Sequence, residues 1–84
     1  MLVQKQFDMG EMFFEITQPY IPDKNGALVQ SKEWMVTIHN GTVSWFSGGV
    51  LRLPKTNRTA LFPDPPTALK AAVAFAVSCG LKEV

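Results

Sequence analysis

Residues 34–46, WMVTIHNGTVSWF, decide the fold, because two independent signals in them specify a β-hairpin. Apolar and polar residues alternate on both sides of Asn40-Gly41, the pair that best tolerates positive φ at both central positions of a type I′ turn. A two-residue loop then sets the register. His39 faces Thr42, Ile38 faces Val43, Thr37 faces Ser44, Val36 faces Trp45, Met35 faces Phe46 and Trp34 faces Ser47. Side chains alternate between the two faces of a strand. One face therefore collects Trp34, Val36, Ile38, Val43 and Trp45 as a core. The other collects Met35, Thr37, His39, Thr42, Ser44 and Phe46 and is mostly polar.

Working outward, residues 11–18 read EMFFEITQ, with Met12, Phe14 and Ile16 alternating against Phe13, Glu15 and Thr17 as in a half-buried strand. Leu2, Val3 and Phe7 either extend this strand or wrap an edge, and Gly10 suits a bulge. Pro19 and Pro22 close the strand, residues 23–26 (DKNG) are a turn signal, and residues 27–30 form a short strand or loop. After the hairpin, Gly48-Gly49 breaks the pattern. Residues 50–53 and 59–62 then read as two short strands around a loop at 54–58.

The last element is a helix over about 65–79. Asp64 is a good N-cap, Pro65 occupies the first helical position where its missing N–H costs nothing, and Gly80 supplies the left-handed residue that ends the helix. At about 100° per residue, Leu69, Ala72, Val73, Ala76 and Val77 form one apolar stripe, with Phe75 and Cys79 on its flank. Packing that stripe on Trp34, Val36, Ile38 and Trp45 gives a two-layer α+β protein: an antiparallel sheet of three to five strands on one C-terminal helix. Residues 1–84 form a single domain.

Size limits function. A chain of 84 residues buries only about 60–65% of its unfolded surface, which leaves little room for a deep catalytic cavity and favours a surface site. With 46% hydrophobic and 18% charged residues, the chain is a globular domain rather than a disordered one. Net charge is only +1. The single cysteine, Cys79, rules out an intramolecular disulfide, and no signal-peptide pattern opens the sequence, so a cytoplasmic protein is expected. No membrane association is expected either, because the longest apolar run, residues 71–77, falls far short of the roughly 20 that span a bilayer.

The titratable residues assemble no catalytic or metal site. A nucleophile needs a base beside it. Cys79 falls at a helix C-terminus, where the dipole disfavours a thiolate, and His39 flanks an exposed turn. One Cys and one His cannot supply a zinc set. Glu11 and Glu15 share a strand face but lie about 13 Å apart, too far for a coupled acid and base. Ser47-Gly48-Gly49 lacks the spacing and the following helix of a phosphate-binding loop. No cofactor is expected and the chain reads as a non-enzyme. The acceptor patterns at Asn40 and Asn57 would matter only in a secreted protein.

Two surface features remain. Residues 34–84 carry Arg52, Lys55, Arg58, Lys70 and Lys82 against Asp64 and Glu83, whereas residues 1–33 are acidic overall. Arg52, Lys55 and Arg58, in or beside one loop, suit a phosphate backbone or an acidic protein, against the plain alternative of a solvated loop. The second feature is apolar: Phe46 pairs with Met35 on the face away from the helix, and Phe13 shares that side. Such side chains on a Thr/Ser face mark a contact patch unless the N-terminal segment or Tyr20 and Ile21 cover it. Ala71, Ala74 and Ser78 on the far side of the helix form a weaker candidate for self-association, so a homodimer is a further expectation.

In the double-stranded-RNA-binding domain a three-stranded sheet also stacks on a C-terminal helix, but that family opens with another helix. It also places a lysine cluster at the start of the last helix, where this chain has Asp64-Pro65-Pro66-Thr67 and only Lys70. In size and pattern, a hairpin-rich sheet ending in FPDPPTALKAAVAFAVSCG, the chain resembles small accessory proteins encoded by bacteriophages and prophages, a group that includes anti-CRISPR inhibitors. The resemblance spans the whole chain and carries over no functional residue. It implies a viral inhibitor that occupies the surface of a host defence or regulatory protein. The expected function is thus a non-enzymatic protein-binding module acting through Phe13, Met35, Phe46, Arg52, Lys55 and Arg58. A nucleic-acid binder using the basic loop, or a virion component, are the alternatives.

Overall fold

In the computed structural model, which describes residues 1–39, 41–43, 46 and 48–84, seven elements follow in chain order. They are β1 (Leu2–Phe7), β2 (Gly10–Thr17), β3 (Tyr20–Pro22), β4 (Leu28–Gln30), β5 (Met35–His39), β6 (Gly49–Val50) and α1 (Pro65–Ser78). Alternation in β2 works as the sequence requires: Met12, Phe14 and Ile16 are fully buried, while Glu15 is exposed. Leu2, Val3 and Phe7 belong to a separate strand. It turns at Asp8-Met9 and pairs antiparallel with β2, from Leu2 opposite Glu15 to Phe7 opposite Gly10. The main sheet has the order β1-β2-β5-β6, and β3-β4 form a second, two-stranded sheet. With α1 against β2 and β5, the architecture is α+β.

The hairpin register expected from Asn40-Gly41 is corrected by the structure. Thr37 lies opposite Val50 and Ile38 opposite Gly49, rather than opposite Ser44 and Val43, so the paired strands β5 and β6 are nine residues apart in sequence instead of two. Gly41 does take a positive φ of 54°. Its neighbour, however, bonds to β2 and not to β5: Thr42 N–H donates to the Glu11 carbonyl at 3.1 Å, and Glu11 N–H donates to Thr42 Oγ1 at 2.8 Å. A Cβ at Gly41 would run into the Glu11 carbonyl oxygen, and one at Gly10 would come 2.5 Å from Thr42 Oγ1. The glycine signal is therefore for a close approach of two turns as well as for a turn conformation. Val43 and Phe46 join the core. Asn40, Ser44, Trp45 and Ser47, which the expected hairpin also placed, lie outside the described residues.

The helix starts as expected. Asp64 is extended (φ −153°) and its Oδ1 accepts from Thr67 N–H at 2.8 Å, Pro65 leads the first turn, and Gly80 (φ +104°) follows the cap residue Cys79. The buried stripe is rotated from the expected one: Ala68, Ala72 and Ala76 are fully buried, Leu69 and Val73 are its half-buried flank, and Val77 is exposed. Complementary packing explains the rotation. Phe14, Ile16 and Val36 fill the space above the sheet with bulky side chains, so the helix presents its alanines and comes close. Phe7 meets Phe14 edge-on at 6.4 Å inside this core.

Both edges of the main sheet are partly covered. Residues 82–84 run along β1, with Asp8 N–H donating to the Lys82 carbonyl at 2.9 Å and Val84 N–H to the Gln6 carbonyl at 3.3 Å. On the other side the two short strands expected at 50–53 and 59–62 reduce to β6 and isolated bridges, Arg52 opposite Thr59 and Trp34 opposite Phe62. Trp34, expected in the core, is half-buried against it.

Candidate functional site

Of the three residues expected in an apolar patch, the structure places two on the outer face of the main sheet and one inside. Phe13 lies opposite His39, and Met35 opposite Thr17, so they share a face but sit at opposite ends of the β2–β5 ladder. Both are half-buried. Phe46 is a correction: only 6% exposed, it lies on the helix side with its ring edge-on to Phe75 at 6.1 Å. Its expected place opposite Met35 assumed the two-residue turn, and the observed β5–β6 register removes that constraint. Polar groups dominate what remains of the outer face, with Gln4 donating to Glu11 and His39 Nε2 standing 3.4 Å from Glu15 Oε1. Phe13 and Met35 do not form one patch.

Arg52, Lys55 and Arg58 are brought together as expected, on a tight turn. Asn57 at φ +55° lets the chain reverse, Asn57 N–H donates to the Leu53 carbonyl at 2.9 Å, and Leu53 N–H donates to the Arg58 carbonyl at 2.8 Å. All three cations are exposed. Arg52 Nη1 donates to the Asn57 carbonyl at 3.2 Å, so part of its guanidinium braces the turn itself.

The sequence reading missed a third surface. Strands β3 and β4 pair antiparallel, Tyr20 opposite Gln30, Ile21 opposite Val29 and Pro22 opposite Leu28, and touch neither the helix nor any other strand. All six residues are exposed, including Leu28 at 69% and Tyr20 at 66%. Asp23 closes the tip: its Oδ1 accepts from Asn25 and Ala27 N–H, while Asp23 N–H donates to the Ala27 carbonyl. The base is tied by Ser31 N–H donating to the Pro19 carbonyl at 2.7 Å. The signal was present in the apolar pairs Tyr20-Ile21 and Leu28-Val29 on either side of the DKNG turn; taking Pro19 and Pro22 as strand terminators concealed it. Side chains alternate along the strands, so Tyr20 and Leu28 share one face of the ribbon with Pro22 and Gln30, and Ile21 and Val29 lie on the other.

Chemically, this arrangement offers backbone edges, apolar contact and charge. Cys79 is exposed at the C-terminus of α1, and among the described residues no three His, Cys, Asp or Glu side chains converge to hold a metal. No helix among them is long and apolar enough to cross a membrane. No protein-family model, curated protein or solved structure matches the chain.

Proposed function

We propose that the chain is a non-enzymatic protein-binding module that occupies a partner's surface through the β3–β4 ribbon. One observation carries this reading: Tyr20, Ile21, Leu28 and Val29 are all exposed on a ribbon that, among the described residues, contacts neither the helix nor any other strand. A lone two-stranded ribbon is marginally stable in water, and tyrosine, here Tyr20, is among the residues enriched at interface centres. The fold supplies a rigid base for it in the fully buried β2 and β5 residues on either side. Acting by surface occupation is also the mode implied by the resemblance to phage-encoded inhibitors.

A second reading rests on the basic turn, where Arg52, Lys55 and Arg58 are exposed together and suit a nucleic-acid backbone. One experiment separates the two. Immobilised protein is used to capture ligands from a cell lysate, beside the double variant Tyr20→Asp/Leu28→Asp and the triple variant Arg52→Glu/Lys55→Glu/Arg58→Glu. A protein retained by the parent and the triple variant but lost from the double variant, with weak salt dependence, supports the ribbon. Retained nucleic acid, lost from the triple variant and weakening steeply with salt, moves the function to the turn.

A further inference from the structure

The ribbon has two edges, and they are not equivalent. In an antiparallel ladder, alternate residue pairs exchange backbone hydrogen bonds while the pairs between them point their N–H and C=O groups outward. The bonds from Ser31 to Pro19 and from Asp23 to Ala27 fix the parity, making Ile21 and Val29 the bonded pair between them. Outward groups therefore belong to Tyr20 and Pro22 on β3, and to Leu28 and Gln30 on β4. Pro22 has no N–H, which blunts the β3 edge in the way exposed edges are commonly protected. The β4 edge keeps both donors and both acceptors. β1 is covered by residues 82–84 at Gln6 and Asp8, and its strand already belongs to a four-stranded sheet with a helix behind it.

Resting on the reading of the ribbon as a contact surface, we propose that β4 pairs antiparallel with β4 of a second copy, giving a two-fold β3-β4-β4-β3 sheet. Only one register uses every free group on both chains: Leu28 of each copy opposite Gln30 of the other, with Val29 facing Val29 across the axis. The edge is thus complementary to itself, as an isologous interface demands. This register puts no like charges directly opposite one another. It lays Lys32 of each copy opposite Gly26 of the other and Glu33 opposite Asn25. It also makes the two Leu28 side chains diagonal neighbours, close enough to touch. Each two-stranded ribbon gains the third and fourth strands it lacks. The apolar area available is below the roughly 800 Å² per partner of a standard interface, so the dimer is weak and concentration-dependent.

Sedimentation equilibrium of the purified protein over a wide concentration range tests this. The expected mass rises from 9.3 kDa toward twice that value, and Gln30→Pro stays at the monomer mass at every concentration. That substitution removes one outward N–H and no bond within the chain. A parent protein that remains monomeric at several hundred micromolar overturns the proposal and leaves capture of another protein by the ribbon unaffected; so does a Gln30→Pro variant that dimerises like the parent. Should Gln30→Pro unfold, cross-linking decides. In a Cys79→Ser background, Val29→Cys is expected to form a disulfide-linked dimer on mild oxidation roughly tenfold faster than Ile21→Cys, because the Val29 pair meets at the axis and the Ile21 pair is three strand spacings apart. Equal rates, or no linked dimer from Val29→Cys, overturn the proposal.

Discussion

Replacing Gly41 by alanine tests the contact that displaced the hairpin. Two costs are expected there. An alanine at φ +54° lies in the left-handed region, costing about 1–2 kcal/mol. Its Cβ would also be forced into the Glu11 carbonyl, which is backbone of a core strand and has nowhere to retreat, so the two bonds between Glu11 and Thr42 are stretched or lost, at about 1 kcal/mol each. The sum is about 3–4 kcal/mol, a large part of the roughly 4–13 kcal/mol expected for a domain of this size. Gly26→Ala is the matched control, since Gly26 has φ +83° with nothing within 4 Å of the added carbon. On φ alone Gly41 is the easier site for alanine, because +54° falls inside the left-handed well and +83° outside it. Urea denaturation followed by tryptophan fluorescence compares the two. A Gly41→Ala loss no larger than that of Gly26→Ala would refute the close-approach argument. Gly10→Ala attacks the same contact from the other side, so its effect should combine with Gly41→Ala to less than the sum.

Further outcomes follow from the packing and the helix cap. Phe46→Ala should cost about 3–5 kcal/mol, as expected for a buried aromatic, and Met35→Ala about 1 kcal/mol or less, read from urea midpoints at constant slope; equal losses would put Phe46 back on the surface. The Thr67 hydrogen bonds hold the Asp64 carboxyl below its ordinary value of 3.8. A carboxyl lowered in the folded state adds stability above its ordinary pKa and loses it as pH falls through the lowered value. Asp64→Asn should therefore flatten the acid side of the Tm-versus-pH curve, and an unchanged acid limb would contradict the assignment. Ala72→Leu forces three extra carbons against β2 and β5 and should destabilise by about 1–3 kcal/mol, whereas Ala74→Leu on the exposed side should lie within about 0.5 kcal/mol of the parent.

What could be read from the chain followed local rules. The β2 alternation and the Asp64-Pro65 start and Gly80 end of the helix depend on neighbours a few residues away, and all three stand in the structure. The hairpin register failed because a non-local bond, Thr42 to Glu11 across 31 residues, outcompeted the local turn, and no period in the sequence reports such a contact. Phe46 was misplaced by the same error. The helix stripe was rotated because hydrophobicity ranks valine above alanine, while the sheet below already supplied the bulk and needed small residues opposite it. At the candidate site, the clustering of Arg52, Lys55 and Arg58 was legible from spacing alone. The ribbon was not, because its prolines are as compatible with strand ends as with a protected edge.

The most direct test of the ribbon as the contact surface is residue-resolved amide hydrogen exchange, comparing the free protein with the complex retained in the capture experiment. New protection is expected at Tyr20, Ile21 and Leu28 to Gln30, with exchange at residues 52–58 unchanged. Protection confined to residues 52–58, with the ribbon amides exchanging as fast as in the free protein, would contradict the ribbon as the contact surface.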